Sequence, residues 1–293
     1  MIKTWTDVEL VADARAIIGE SPVWDVQRRV LLWVDILGRV LHTHTPDTGA
    51  NESVELAEVV GAIVLGPDGQ IVAAVEYGFA HLDRVTGQLE PIARLTDSGG
   101  PASRMNDGKC DPTGRFWAGT MAYDLTPGAG ALHYLESDGT VQTALTDVTL
   151  SNGLDWSPDG SQFYFIDSMA GGVDVFDVDL RTAALTNRRR FVDIPNDEGI
   201  PDGLTVDAQG YVWVALYLGG CVKRYSPDGT LDAVVELPIR TPTCPIFGGE
   251  NLTDLYVTSS AMIMADHSDE PGAGGLYRCA VGVSGRPANR ILM

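Results

Sequence analysis

The chain has 293 residues, 44% of them hydrophobic, which is enough to bury a sizeable core in one or two domains, and since no linker divides it a single domain spanning residues 1–293 is expected. Its formal net charge of −20 repels a nucleic-acid backbone and an anionic membrane surface, so neither is expected as a partner. No apolar run reaches the roughly 18 residues of a membrane span, and the stretch after Met1-Ile2-Lys3 lacks the apolar segment of a signal peptide.

Gly is abundant at 33 residues, Pro contributes 16, and long amphipathic helical stretches are missing, which favours many short strands joined by turns. In chain order the first strand-like segment is Asp7-Val8-Glu9-Leu10-Val11. Six β-rich runs follow at Val30–Val34, Ile71–Val75, Arg115–Gly119, Phe163–Ile166, Tyr211–Ala215 and Leu255–Thr258. Each comes just after a turn position: Arg28, Gly69, Gly114, Gly160, Gly210 and Asp254. Successive spacings are 41, 45, 46, 50 and 44 residues, the repeat of a four-stranded propeller blade. Pro-Asp-Gly turns at Pro67-Asp68-Gly69, Pro158-Asp159-Gly160 and Pro227-Asp228-Gly229 suit tight hairpins. The fold expected is all-β, a six-bladed β-propeller. The segment before the first repeat would complete the last blade and close the ring.

Counting eight residues back from each turn position gives Glu20, Gly61, Asn106, Asn152, Asp202 and Ile246. The innermost strand of each blade lines the central channel, so equivalent positions form one ring around the axis. Two carboxylates and two carboxamides converging there call for a hard divalent cation, which prefers oxygen ligands. Any one Asn-Gly or Asp-Gly reads as a turn dipeptide; four oxygens in one register read as a site. Other constellations are weak. No G-x-S-x-G elbow, H-E-x-x-H or Walker loop is present, and the five histidines show no metal spacing. Cys110, Cys221, Cys244 and Cys279 form no C-x-x-C pair, so a reduced, cytoplasmic protein with buried free thiols is expected. Arg188-Arg189-Arg190 is expected to be a solvated loop.

The segments Ile18-Gly19-Glu20-Ser21-Pro22-Val23-Trp24, Arg104-Met105-Asn106-Asp107-Gly108-Lys109, Ala118-Gly119-Thr120-Met121, Ser151-Asn152-Gly153-Leu154-Asp155-Trp156-Ser157, Asn187-Arg188-Arg189 and Ile200-Pro201-Asp202-Gly203 resemble the regucalcin (senescence marker protein)–gluconolactonase family in order and spacing along nearly the whole chain. The resemblance implies hydrolysis of an aldonolactone such as glucono-, xylono-, arabinono- or galactonolactone. It implies Glu20, Asn152 and Asp202 as ligands of one divalent ion (Ca, Zn, Mn, Mg or Fe), Arg104 and Asn106 as substrate contacts, and Asp202 as the candidate base. Animal regucalcins carry two glutamates where this chain has Tyr123 and Asp124, so Asp124 becomes the substrate contact implied there. A calcium-binding regulator without hydrolysis, and a hydrolase of another ester, an organophosphate or an oxidised luciferin, stay open. Residues 125–130 and 264–272 are read as rim loops at the channel mouth.

Overall fold

The structure, a computed structural model, describes residues 2–95, 100–263, 266–267 and 269–293. Of the second rim segment, residues 264, 265 and 268 lie outside the described residues. Six sheets of four antiparallel strands form six blades, and there is no α-helix among the described residues. The β-rich runs of the repeat are the second strand of each blade. Glu9–Ala12 is the outer strand of blade six, paired with Leu276–Ala280, so a segment from one end of the chain closes the ring with strands from the other. Lys3–Trp5 adds a fifth, parallel strand to blade five against Leu231–Glu236.

The inner strands are Gly19–Asp25, Val60–Leu65, Ser103–Cys110, Ser151–Trp156, Ile200–Val206 and Pro242–Gly248. Flanked on both faces by neighbouring blades, they are almost entirely buried. Apolar side chains from facing blades form the core between them, with Trp33, Trp117, Trp156 and Trp213 fully buried.

All six inner strands carry a bulge at the same height. One extra residue is inserted between Glu20 and Val23, Val60 and Ala62, Met105 and Gly108, Ser151 and Leu154, Pro201 and Leu204, and Pro242 and Pro245. A bulge turns side chains out of the pleat, which is how strand residues come to point along a channel. Gly153 and Gly203 let the strands crowd together there. A Cβ at Gly153 would lie 2.6 Å from Asp202 O, and one at Gly203 would lie 2.6 Å from Cys244 Cβ.

The chain after blade six crosses the hairpin ends of the inner strands. Ile291 N donates to Leu65 O (2.9 Å), Asn289 Nδ2 to Cys110 O (3.1 Å), and Arg286 Nη2 to Trp156 O (2.6 Å). This tail spans that end of the inner strands, and Arg286, Pro287, Ala288 and Asn289 line the cavity there. No described helix is long and apolar enough to cross a membrane, and the four cysteines are buried and free. Arg188-Arg189-Arg190 is not a loop but part of the strand Ala184–Asp193 on the outer edge of blade four, where Arg188 and Arg190 pair with Asp174 and Arg189 with Asp177.

Candidate functional site

Asn106, Asn152 and Asp202 sit in the bulges of blades three, four and five, as the shared spacing predicts. Blade six departs from the count. Its left-handed turn residue is Leu252 (φ 55°), not Asp254, and Ile246 pairs in the ladder with Tyr256. Thr243 and Cys244 occupy the bulge instead. Blade one departs by one residue: its left-handed turn residue is Arg29 (φ 56°), and the bulge holds Ser21 and Pro22. Ser21, itself left-handed at φ 48°, uses its hydroxyl to accept from Ile63 N (2.8 Å) of blade two. Glu20 joins the ring from the preceding position. Its carboxylate lies within 4.8 Å of donor atoms of Asp107 and Cys244.

The ring is buried and short of positive charge. Burial pushes the Glu20 carboxyl well above the usual range, and Asp202 and Asp107 push it further. Burial and then Asp107 raise Asp202 in the same way, although Asp202 keeps some accessible surface. Asp107 is pushed up to about 6, mainly by burial. Arg104 is the nearby cation. It is buried, its own pKa is lowered by burial, and it interacts electrostatically with Glu20 and Asp202. Its Nη1 donates to Asn106 Oδ1 (2.6 Å) and Met105 O (2.9 Å), while Asn106 Nδ2 donates to Ser151 O (2.8 Å). The Asn106 amide is thus fixed at both ends.

Asn152 differs. Its Nδ2 donates to Ser168 Oγ (3.0 Å), and that hydroxyl in turn donates to Pro201 O (2.7 Å). Ser168 is placed by the 3-10 turn Ser168–Ala170, whose N-cap is Asp167. The Asn152 Oδ1 is buried yet has no hydrogen-bond partner among the described residues. An unsatisfied buried carbonyl costs about 1–3 kcal/mol, and here it stands beside the buried Glu20 and the largely enclosed Asp202 carboxylates. That combination fits an oxygen-seeking cation held by Glu20, Asn152 and Asp202. A thiol-containing alternative, Glu20 with Asp107 and Cys244, overlaps it. Burial and the neighbouring carboxylates push the Cys244 thiol well up, which opposes its acting as a thiolate without metal.

Asp124 is not brought to the ring. It is exposed, and its Oδ1 accepts from Thr126 N (3.0 Å) and Thr126 Oγ1 (2.7 Å), capping a turn. Tyr123 comes closer: it interacts with Arg104 electrostatically, and its hydroxyl donates to Glu76 Oε1 (3.0 Å). Sequence reasoning missed Asp107, Ser168, Cys244 and the Tyr123–Glu76 pair.

Below the ring lies a cavity of about 40 Å³ lined by Asp107, Lys109, Cys244, Asp155 and Arg286 among others. Lys109 Nζ donates to Leu204 O (2.9 Å) and pairs with Asp155 Oδ2 (3.4 Å), while Arg286 Nη2 pairs with Asp155 Oδ1 (3.1 Å).

The SMP-30/Gluconolactonase/LRE-like region model matches residues 18–261. The chain is 40% identical over 286 residues to regucalcin of Danio rerio, covering 96% of each chain. It is 38% identical over 290 residues to pentonolactonase XacC of Haloferax volcanii, covering 97% of each. A crystal structure described as a calcium-binding protein, regucalcin, from Agrobacterium tumefaciens superposes with a TM-score of 0.92 at 29% identity, covering 100% of both chains. This chain therefore belongs to the SMP-30/gluconolactonase/LRE-like family.

Proposed function

We propose that the chain hydrolyses a small sugar lactone to its aldonic acid at this ring, with one divalent cation held by Glu20, Asn152 and Asp202. The observation that carries the reading is the buried, unpartnered Asn152 Oδ1 beside two carboxylates whose burial disfavours their charge. The kinship with a protein named pentonolactonase supports the substrate class. A cation bound there would supply the positive charge that polarises the lactone carbonyl.

The remaining chemistry belongs to the chain's own side chains. Arg104, held by Met105 O and Asn106 Oδ1, keeps further N–H groups for the sugar hydroxyls, and Asn106 fixes the angle of that guanidinium. Such anchoring turns binding energy into alignment. Asp202 takes a proton from the water that attacks the carbonyl carbon. The ring C–O bond then breaks, and the proton passes to the leaving ring oxygen, giving the open hydroxy acid. Arg104 also speaks against a purely regulatory cation site, since a buried guanidinium beside the ring weakens cation binding and favours a ligand with acceptor groups.

A pH-stat assay over a panel of aldonolactones, with and without chelator, tests the proposal. Hydrolysis of at least one lactone, abolished by chelation and restored by a divalent ion, is expected. Full activity in demonstrably metal-free protein overturns the cation, and no hydrolysis of any lactone by the metal-loaded protein overturns the reaction.

A further inference from the structure

Each of three blades starts its inner hairpin with a fully buried aspartate that accepts backbone N–H groups of the turn: Asp25, Asp111 and Asp207. In two of them the arginine that joins the aspartate is shared with a second carboxylate. Arg115 lies between Asp111 (3.3 Å) and Glu136 (3.0 Å), and Arg224 lies between Asp207 (2.7 Å) and Asp232 (2.5 Å). Blade one inverts the ratio. Three arginines, Arg28, Arg84 and Arg290, surround Asp25 alone, at 3.1, 4.0 and 4.0 Å.

Only Arg28 is close enough to Asp25 to hydrogen-bond it. Arg28 also donates to Asp68 O (3.2 Å), and Arg290 donates to Gly66 O (3.0 Å) and Pro67 O (2.8 Å). Gly69 leaves the space that the Arg28 guanidinium fills; a Cβ there would run into it. Arg84 Nη2 is buried with no hydrogen-bond partner among the described residues. Burial and then Arg28 lower the Arg84 pKa, and Asp25 offsets this only in part. Arg84 borders an open groove of about 580 Å³, lined also by Gln70, His81, Asp83, Gln88 and Glu90. The carboxylate of Asp83 is turned to its own loop, accepting from Val85 N and Thr86 N.

We propose that this cluster binds a tetrahedral, doubly charged oxyanion: phosphate, either free or as the monoester of a small molecule whose remainder lies in the groove. Guanidinium forks match such oxygens in planar pairs, and an unpartnered N–H gains a full charge-assisted bond from one. The site is separate from the ring and does not rest on the lactonase reading. Asp25 ends the inner strand on which Glu20 is the second residue, so the two sites lie at different ends of blade one.

Calorimetric titration of the full-length, metal-loaded protein with inorganic phosphate, and in parallel with a sugar phosphate monoester, tests this. Unbound metal is removed beforehand, and ionic strength is held constant with sodium chloride. Saturable binding is expected. Arg84→Gln should weaken it by about tenfold or more, the size of one lost charge-assisted hydrogen bond. Arg181→Gln, at an exposed arginine of another blade, should leave it unchanged. Tighter binding of the monoester assigns the groove to the organic remainder, whereas equal binding assigns the site to free phosphate; either supports the proposal. No saturable binding, or binding that Arg84→Gln leaves intact, overturns it. If Arg84→Gln does not fold, Arg84→Lys keeps the charge and loses the fork, and undiminished binding in that variant overturns the proposal equally.

Discussion

Two layers of charge are stacked in one channel, and they are solved in opposite ways. The lower layer is balanced. Asp155 is buried, which alone would raise its pKa, yet Lys109 and Arg286 hold it below the ordinary value, and both its oxygens are engaged by the protein. The upper layer has Glu20 and Asp202 against Arg104, with Asp107 drawing only on Lys109, and all three carboxyls are pushed up. Burial in both layers with unequal pairing gives opposite shifts, so pairing and not depth decides which carboxyls keep their charge.

The largest expected effect lies in the upper layer. Asp202→Ala removes a proposed cation ligand and the proposed base together. It should lower kcat/KM at saturating metal by about 10²–10⁴-fold. The metal-free variant should be at least as stable as the metal-free parent, because one of three mutually repelling carboxylates is gone. Kinetics with parallel thermal unfolding check this; retention of more than about a tenth of the activity makes Asp202 a bulge residue and nothing more.

The mirror experiment is Asp155→Ala. It leaves Lys109 and Arg286 without their carboxylate, and both are partly open to solvent, so the loss should sit near the low end for a broken buried pair, about 3 kcal/mol. Denaturant unfolding measures it. A loss as small as that of a surface pair would mean that the tail carries no electrostatic role below the ring.

The layers should also respond to pH with opposite sign. Asp107 has a folded pKa raised from 3.8 to about 6, so its contribution is fully present below 3.8 and is lost as pH rises through about 6. Glu20 and Asp202 are raised as well and add to that loss on their way through their own folded values. Asp155 is lowered, so its contribution is present above its ordinary value and is lost as pH falls through its depressed one. The chelated protein should therefore gain stability on acidification from neutrality towards pH 5 before losing it in stronger acid, and bound cation should flatten the first limb. Unfolding temperatures across pH, with and without metal, decide; a metal-free protein that only weakens on acidification would falsify the description of the upper layer.

How much of this the sequence made legible follows from where the chain keeps time. Glycine turns at Gly69, Gly114, Gly160 and Gly210 mark the left-handed residue openly, so Asn106, Asn152 and Asp202 fall into register by counting. Blades one and six use Arg29 and Leu252 at that position, residues that carry no such mark, and there the count lands one residue early on Glu20 and two late on Ile246. Glu20 reaches the ring all the same; Cys244 was hidden. Asp107 was masked by its neighbour Asn106, since a bulge offers two residues where a strand pattern offers one. The lower layer was invisible because Arg286 lies on a tail without strand periodicity, 131 residues from its partner Asp155.

A smaller effect is expected where the ring is supported and not formed. Ser168→Ala takes away one acceptor of Asn152 Nδ2 and leaves the amide held only by its hydrogen bond to the Asp202 carboxylate, so Oδ1 is less firmly fixed in its present direction. Groups that orient a metal ligand in this way are worth about 10–100-fold in metal affinity. Calorimetry with the restoring cation should show that loss, with kcat largely recovered at saturating metal. Unchanged affinity would mean that the bulge and the Asp202 carboxylate hold Asn152 without Ser168.

The smallest expected effect separates the two overlapping donor sets. Cys244 shares the Glu20 carboxylate with Asp107 on one side, while Asn152 and Asp202 offer only oxygen on the other. If the oxygen set holds the cation, Cys244→Ser exchanges a protonated thiol for a hydroxyl of nearly the same shape next to the site. Activity with calcium or magnesium should then stay within about twofold, a change of about 0.4 kcal/mol in barrier. If the thiol is a ligand, the same change should cost far more, and most of all with a thiophilic ion, because sulfur and hard oxygen ligands rank metals in different orders. Cobalt reads this directly: thiolate ligation gives an intense near-ultraviolet charge-transfer band that an oxygen set lacks. A band present in the parent and absent in Cys244→Ser would move the cation to Glu20, Asp107 and Cys244. Its absence from both leaves Cys244 as a packing residue, pressed against Gly203 where the inner strands of blades five and six meet.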